Sequence, residues 1–381
     1  MNQATVAAVK CPHYNEEEVF RGVAEAVSLL GGMESFVRPG QKVLLKPNLL
    51  AAKSPDRAVT THPLIVKSVG KLVKDCGGIV SIGDSPALGA WKHIASKTGM
   101  EEAAKYLGAS LVRFQDSVGV EREERHRFKK LEIAREAVES DVVINLPKLK
   151  THCQMYLTLG VKNIFGCLVG KRKPAWHMEA GSDYMSFAHR VVELYEAVSP
   201  ALTLVDGVVG MEGYGPGSGD PRALGMIVAG RDAVAVDRVI LEIVGGKEEL
   251  FYVLRAAREL GVGVSNLKNI RIVGESIADL RVKDFRFPPL QGVEFGPAFL
   301  RPYIKNYVTT RPYEDRSRCT LCGECIAVCP PKIIEKDGEK GLRFRYDDCI
   351  RCYCCLEVCP EGAMKMREGL ALRVLKGLGL M

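Results

Sequence analysis

Apolar residues along the first two-thirds of the chain fall into short continuous runs that alternate with amphipathic stretches. "ATVAAVK" is a short apolar run of strand type. "NEEEVFRGVAEAVSLLGG" opens with an asparagine cap and an acidic first turn and stops at a glycine pair, which predicts a helix. "QKVLLKPNLL" reads as a buried strand ending at Lys46-Pro47. "THPLIVKSVGKLVKDCGG" reads as a helix with Pro63 at its first position, and "IVSIGDSPA" as the next strand and turn. Strand, helix and strand in this order form a βαβ unit, which imposes a right-handed crossover and a parallel sheet. The rhythm then loosens. "ASLVRFQ" and "LEIAREAV" are extended or mixed, and "EREERHRFKK" is a solvated surface hairpin or loop. "SDVVINLPK" is a strand and "DYMSFAHRVVELYEAVSP" a helix. "ALTLVDGVVGMEGYGPGSGDPRALGMIVAG" is a strand, a glycine-rich loop and a strand. Two further helices and the strand "NIRIVG" follow. The pattern predicts an α/β fold with a layered, mostly parallel sheet and helices on both faces.

A length of 381 residues favours two domains. The expected division is an α/β anion-binding domain over 1–285, an extended proline- and aromatic-rich linker over 286–316, a small α+β cysteine domain over 317–366, and an amphipathic tail over 367–381 that docks on the protein itself. The formal charge of +7 suits anionic substrates or partners and does not call for nucleic acid. No apolar signal core and no run of ~20 apolar residues is present, so the expectation is a cytoplasmic protein without membrane contact.

Cysteine changes the picture most. Of 13 cysteines, Cys11, Cys76, Cys153 and Cys167 are scattered and nine lie between Cys319 and Cys359. In a reducing cytosol such a cluster means metal rather than disulfides. "CTLCGECIAVCPP" supplies Cys319, Cys322, Cys325 and Cys329, and "CIRCYCCLEVCPE" supplies Cys349, Cys352, Cys355 and Cys359. Both follow C-x2-C-x2-C-x3-C-P, in which the last cysteine of each row ligates the other cluster. One [4Fe-4S] cluster then uses Cys319, Cys322, Cys325 and Cys359, and the second uses Cys349, Cys352, Cys355 and Cys329. Zinc sites pair cysteines differently. Cys354 falls outside the spacing and reads as a buried bystander. The region from Arg318 to Met366 resembles bacterial two-cluster [4Fe-4S] ferredoxins. Arg318, Lys332, Lys336, Lys340, Arg343, Arg345 and Arg351 suggest a basic face for an acidic redox partner such as a soluble ferredoxin. The alternative is that nearby acids balance them.

Ligands of parallel α/β sheets sit beyond the carboxyl ends of the strands. There the chain places Lys46 and Asn48, then Asp84, then Lys148, Lys150 and His152, then Asp206 and the glycine loop. Each has a plainer role. Lys46 and Lys148 can cap strand ends in water, Thr61 and His62 precede a helix that Thr61 can cap, and Asp84 can hold a turn. Asp232 and Asp237 suit capping or a salt bridge. "GKRKPAWHM" reads as a loop in which Lys171, Arg172, Lys173 and His177 either close over a ligand or stay solvated, with Trp176 exposed beside them. Cys153 and Cys167 are either small buried hydrophobes or metal-holding thiols beside the lysines.

The motifs "VLLKPNLL", "TTHPLIVKSVGKLVKDCGGIVSIGDSPA", "LPKLKTH", "GVKNIFG" and "VDGVVGMEGYGPGSG" with "DAVAVD" resemble the family called domain of unknown function 362, several of whose members carry a C-terminal ferredoxin module. The resemblance selects Lys46, Asn48, His62, Asp84, Lys148, Lys150, His152, Lys162, Asn163, Asp206 and Gly213. Three functions are open. In the first, a ferredoxin-dependent reductase relays electrons through two [4Fe-4S] clusters to a small anionic ligand. His152 or His62 supplies a proton there, and Lys148, Lys150 and Lys162 meet the developing charge. In the second, the chain is an electron-transfer or metallocofactor-assembly partner of another protein, without turnover of its own. In the third, it is a ligand sensor with structural clusters.

Overall fold

A computed structural model describes residues 3–86, 89–170, 172–289 and 309–369. The strands of the first part are β1 (Ala4–Lys10), β2 (Lys42–Pro47), β3 (Ile79–Asp84), β4 (Ser110–Arg113), β5 (Ser117–Glu121), β6 (Lys130–Ala134), β7 (Val142–Leu146), β8 (Lys148–His152), β9 (Tyr156–Thr158), β10 (Leu202–Glu212), β11 (Asp220–Gly230) and β12 (Ile270–Gly274). Ten of them make one sheet in the order β12-β1-β11-β10-β7-β2-β3-β4, with β8 pairing β10 and β9 pairing β8. The sheet is mixed but mostly parallel, and its antiparallel pairs are β1–β11, β10–β11 and β8–β9. Strands β5 and β6 form a separate hairpin closed by the charged stretch "EREERHRFKK".

Helices cover both faces because the strands are apolar on both. In β1, Val6 and Ala8 enter one core, with the helices Tyr184–Val198 and Ala233–Ile243. Ala7 and Val9 enter the other, with Glu16–Ser28 and Pro63–Asp75. Asn15 caps the first of these last two as expected, accepting from Glu17 N and Glu18 N. Pro63 stands at the first position of the next. Its cap, however, is His62, whose Nδ1 accepts from Leu64 N. Thr61 is committed elsewhere: its Oγ1 accepts from Asn48 N and donates to Leu146 O, tying the ends of β2 and β7 together.

Two expectations fail for one reason. "GKRKPAWHM" is a helix, Arg172–Ala180, rather than a loop, and "LPKLKTH" continues into a strand, β8. In both, lysine and histidine occupy inward positions. Lys173, His177 and Ala180 are the buried face of the helix, and all of β8 is buried, so hydropathy does not reveal the period. Trp176 is half-buried, 5.8 Å from the Phe128 ring and 6.1 Å from Phe165.

The cysteine module contains β13 (Arg311–Glu314), β14 (Ile334–Lys336), β15 (Leu342–Phe344) and β16 (Met364–Arg367), paired β13–β16 and β14–β15. A short helix follows within each cysteine row, Glu324–Val328 and Cys354–Val358. Strand β13 comes from the stretch expected to be linker. Most of that linker (290–308), most of the tail (370–381) and Lys171 lie outside the described residues.

The second helix docks on the α/β part. Ser218 Oγ donates to Leu356 O at 3.1 Å, Tyr184 OH donates to Arg351 O at 3.2 Å, and Lys53 Nζ donates to Pro360 O. Gly217 is required here, since a Cβ would come within 2.4 Å of the Glu357 carbonyl. The glycine loop after β10 therefore serves the contact between the two parts. Among the described residues no helix is long and apolar enough to cross a membrane.

Candidate functional site

Strands β2, β3, β7 and β10 are parallel, so their carboxyl ends share one edge. Two buried ion pairs stand there. Lys46 Nζ donates to Asp84 Oδ1 at 2.8 Å, and the Asp84 carboxylate also accepts from Leu49 N and Ser85 N. Gly166 is demanded by this pair, because a Cβ would lie 2.2 Å from Asp84 Oδ1. In the second pair Lys148 Nζ donates to Asp206 Oδ2 at 3.0 Å and to Tyr14 OH at 2.5 Å, while Tyr14 OH donates to Asp206 Oδ1 at 2.6 Å. His62 adds its backbone N–H to Asp206 and stacks on Tyr14 at 3.6 Å. Burial holds its imidazole down at about 4, against the pull of Asp206, so His62 is neutral. Burial also pushes Lys148 down, and Asp206 opposes it.

Among the described residues the other cations at this edge have no such partner. Lys150 Nζ donates to Asn48 Oδ1 at 2.7 Å and Val59 O at 2.6 Å, and burial brings it down to about 7. Asn48 continues through Asn163 to Asn145 by amide bonds of 3.0 and 2.8 Å. Lys162 is half-buried with its ammonium 4.1 Å from the Phe165 ring centroid; burial lowers it, and Glu357 raises it in part. Lys173 donates to Ser85 O and is brought by burial to about 8. His152 accepts from Gln154 N and Met155 N at Nδ1, so its Nε2 carries the proton toward Glu357 Oε1, 3.1 Å away. Burial pushes Glu357 up, but the His152 hydrogen bond and the surrounding cations outweigh it, and the carboxylate falls to about 2.

These groups frame a cleft between the sheet edge and the cysteine module. Asn48, Asp84, Lys162, Asn163, Lys173 and His177 line it from the α/β side, and Val328, Cys354, Glu357 and Val358 line it from the module. Of the residues selected from sequence, Lys46 stands directly behind the lining, and Lys150 and His152 reach it through Asn48 and Glu357. Lys148, Asp206 and His62 form a separate group around Tyr14. Gly213 lies away from the cleft, at the β10–β11 turn, where its N–H donates to Arg286 O. Sequence reasoning passed over Tyr14 and Glu357. Tyr14 was findable, because β1 runs parallel to β10 and its end obeys the same rule. Asp232 caps the helix Ala233–Ile243, whereas buried Asp237 receives Gly160 N and Val161 N. Cys153 and Cys167 are both fully buried, and burial raises both thiols.

Cys319, Cys322, Cys325 and Cys359 line one cavity, otherwise walled largely by apolar groups such as Leu321, Leu342 and Met364. The Ala363 amide donates to Cys359 Sγ at 3.2 Å, a bond that suits a thiolate ligand. Of the second set, Cys349 and Cys355 are buried in the module's core and Cys329 packs against it. Among the described residues no set of three or more His, Cys, Asp or Glu side chains closes to the spacing of a single ion. The first four thiols instead surround a space, and a thiol-only donor set in apolar walls fits a cubane cluster. Cys322 is exposed, whereas Cys349, Cys352 and Cys355 are buried. Arg351 is buried and bonded to Tyr346 O, and Arg345 is tied to Glu335, so neither belongs to a free basic face.

Residues 43–242 match the family described as domain of unknown function (DUF362). The chain belongs to the DUF362 family. Residues 309–363 match the 4Fe-4S dicluster domain. The DUF362 chain is similar to the thylakoid-associated protein sll1697 of Synechocystis sp., 36% identical over 305 residues, or 80% of this chain and 94% of that protein. Its cysteine region is similar to a ferredoxin of Methanothermococcus thermolithotrophicus, 35% identical over 54 residues (14% of this chain, 90% of that protein). It is also similar to the pyruvate synthase subunit PorD of Thermotoga maritima, 32% identical over 89 residues (23% and 90%). Among solved structures, the lactate racemase apoprotein from Thermoanaerobacterium thermosaccharolyticum aligns at 14% identity and TM-score 0.37, covering 61% of this chain and 55% of that one. The C-terminal part of this DUF362 protein is thus a ferredoxin-type [4Fe-4S] domain, and such domains carry electrons.

Proposed function

We propose that this chain holds two [4Fe-4S] clusters and delivers electrons to a small anionic substrate bound between the α/β domain (1–285) and the cluster domain (317–366). One observation carries the reading: the helix Cys354–Val358, set within the second cysteine row, is itself a wall of the cleft whose opposite wall presents Lys162 and Lys173. Cys319, Cys322, Cys325 and Cys359 would hold an outer cluster and Cys329, Cys349, Cys352 and Cys355 an inner one. Bound there, they supply one-electron transfer.

The chain's own groups do the rest. Lys162 and Lys173, without carboxylate partners in contact among the described residues, hold the anionic group. Asn48 and Asn163 orient it through amide groups already fixed by their mutual bond. Lys150, brought near neutrality by burial, stands behind the lining and fixes the Asn48 amide by donating to its Oδ1. His152 positions Glu357 and with it the docked helix. Lys46–Asp84 and Lys148–Asp206 keep the strand ends in register. The exposed Cys322 side is where a soluble ferredoxin or similar redox protein meets the outer cluster.

The test is anaerobic. The full chain is reconstituted, reduced, and mixed with candidate anions. Reoxidation of the clusters with stoichiometric product supports the reading. Reoxidation only when a second protein is added supports the electron-transfer or assembly alternative. Iron far below the eight atoms of two cubanes per chain overturns both.

A further inference from the structure

The cysteine-row spacing leaves one thiol over, and the fold gives it a place. Cys354 is buried, packs in one small cluster with Cys352, and lines the cleft. Lys162 lines the same cleft and rests on the rings of Phe165 and Phe187, at 4.1 and 5.6 Å. His177 also lines the cleft, is only 4% exposed, and keeps an Nδ1 with no hydrogen-bond partner among the described residues. A buried polar atom left open in this way asks for a ligand atom. Leu49, Leu50, Val328 and Val358 supply an apolar stretch beside these polar groups.

One class of ligand answers all of these. Inorganic phosphate or sulfate satisfies two ammonium groups but leaves the apolar wall and the thiol uncovered. A fatty chain exceeds the cleft. We propose that the cleft takes a small carboxylate with an apolar body of a few carbons, its carboxylate between Lys162 and Lys173 and its body against Cys354, and that Cys354 links the occupied cleft to the inner cluster through Cys352. Specificity then comes from two walls: cations on the α/β side read the charge, and the cluster-bearing helix reads the body. The S–H of Cys354, donated to a cluster thiolate, stabilises the reduced state, so it tunes the potential of that cluster alone. The inference takes from the proposed relay only that the cleft binds an anion beside the clusters.

Butyrate is the probe and inorganic phosphate the control, with the reconstituted full chain. Equilibrium dialysis should show butyrate bound at least tenfold more tightly than phosphate, with Lys162→Ala and Lys173→Ala each losing tenfold or more. In an EPR-monitored redox titration, Cys354→Ala should lower one of the two midpoint potentials, and Cys354→Ser, which keeps a donor, should recover part of it. Butyrate should move that same potential and leave the other in place. Equal binding of phosphate and butyrate, or a Cys354→Ala titration superimposable on the parent with full iron content, overturns the proposal. Electron delivery to a phosphate-type substrate sinks this inference and leaves the relay intact. Butyrate binding with the predicted shift, but no turnover of any carboxylate, sinks the relay and leaves this inference standing.

Discussion

The sheet edge holds two kinds of lysine, and they differ in what faces them rather than in where they stand. Lys46 and Lys148 each meet an aspartate at 2.8 and 3.0 Å with both side chains out of water. Lys162 and Lys173 meet ring faces and a carbonyl, and among the described residues no carboxylate lies in contact with them. A buried pair that is complete has nothing left to offer a ligand. A cation whose counter-charge is missing does, at a cost in stability. Convergence on one edge therefore locates a site, while the partner decides which members fix the fold and which meet the ligand.

The largest effect should come from breaking a complete pair. Asp206→Ala leaves the Lys148 ammonium buried without compensation and removes the acceptor of Tyr14 and His62. Chemical denaturation should show a loss of about 3–5 kcal/mol. An unchanged midpoint would erase the distinction drawn above.

Next in size is a pH effect at Lys150. Its folded-state value, about 7, lies below that of the unfolded chain. Between pH 7 and 10.5 the unfolded chain binds more protons, so this site's contribution to stability rises with pH. Below pH 7 the burial cost is present in full. Comparing Lys150→Met with the parent, the difference should move toward the parent by ~3 kcal/mol from pH 7 to pH 10. A difference that stays flat over that range rules out a suppressed lysine.

Gly217→Ala should cost about 1–3 kcal/mol, because its Cβ strikes backbone rather than a movable side chain. Hydrogen exchange should rise in the helix Cys354–Val358 and stay unchanged in β2 and β3. Uniform protection would mean that the glycine loop does not carry the docking.

The smallest stability change belongs to the cleft. Lys162→Met should shift stability by less than ~1 kcal/mol, in the stabilising direction, since a buried cation without a paired acid is removed. A loss as large as that of Asp206→Ala would make Lys162 a structural residue like Lys148.

Legibility follows the same division. The parallel strands, the Asn15 cap and Pro63 were readable because caps and short apolar runs are local signals. Lys46, Asp84, Lys148 and Asp206 were readable as a set because parallel strands must end together. The helix carrying Lys173 and His177 was not, because its inner face is polar and its hydropathy resembles a loop. Tyr14 follows the carboxyl end of β1, where the same strand-end rule holds, and meets Asp206 there. Glu357 could not be found from its neighbours in the chain, since its role depends on His152, some two hundred positions earlier.

The amino-acid sequence alone determined the α/β class and the ferredoxin-type spacing of the cysteine rows, because both rest on periodicity and on distances of a few residues. Tertiary structure alone decided which lysines are neutralised, that Cys354 and Glu357 face the cleft, and that the second cysteine helix closes it. Charge pairing and docking act between residues far apart in the chain, and only their meeting in space fixes the sign and the cost of each contact.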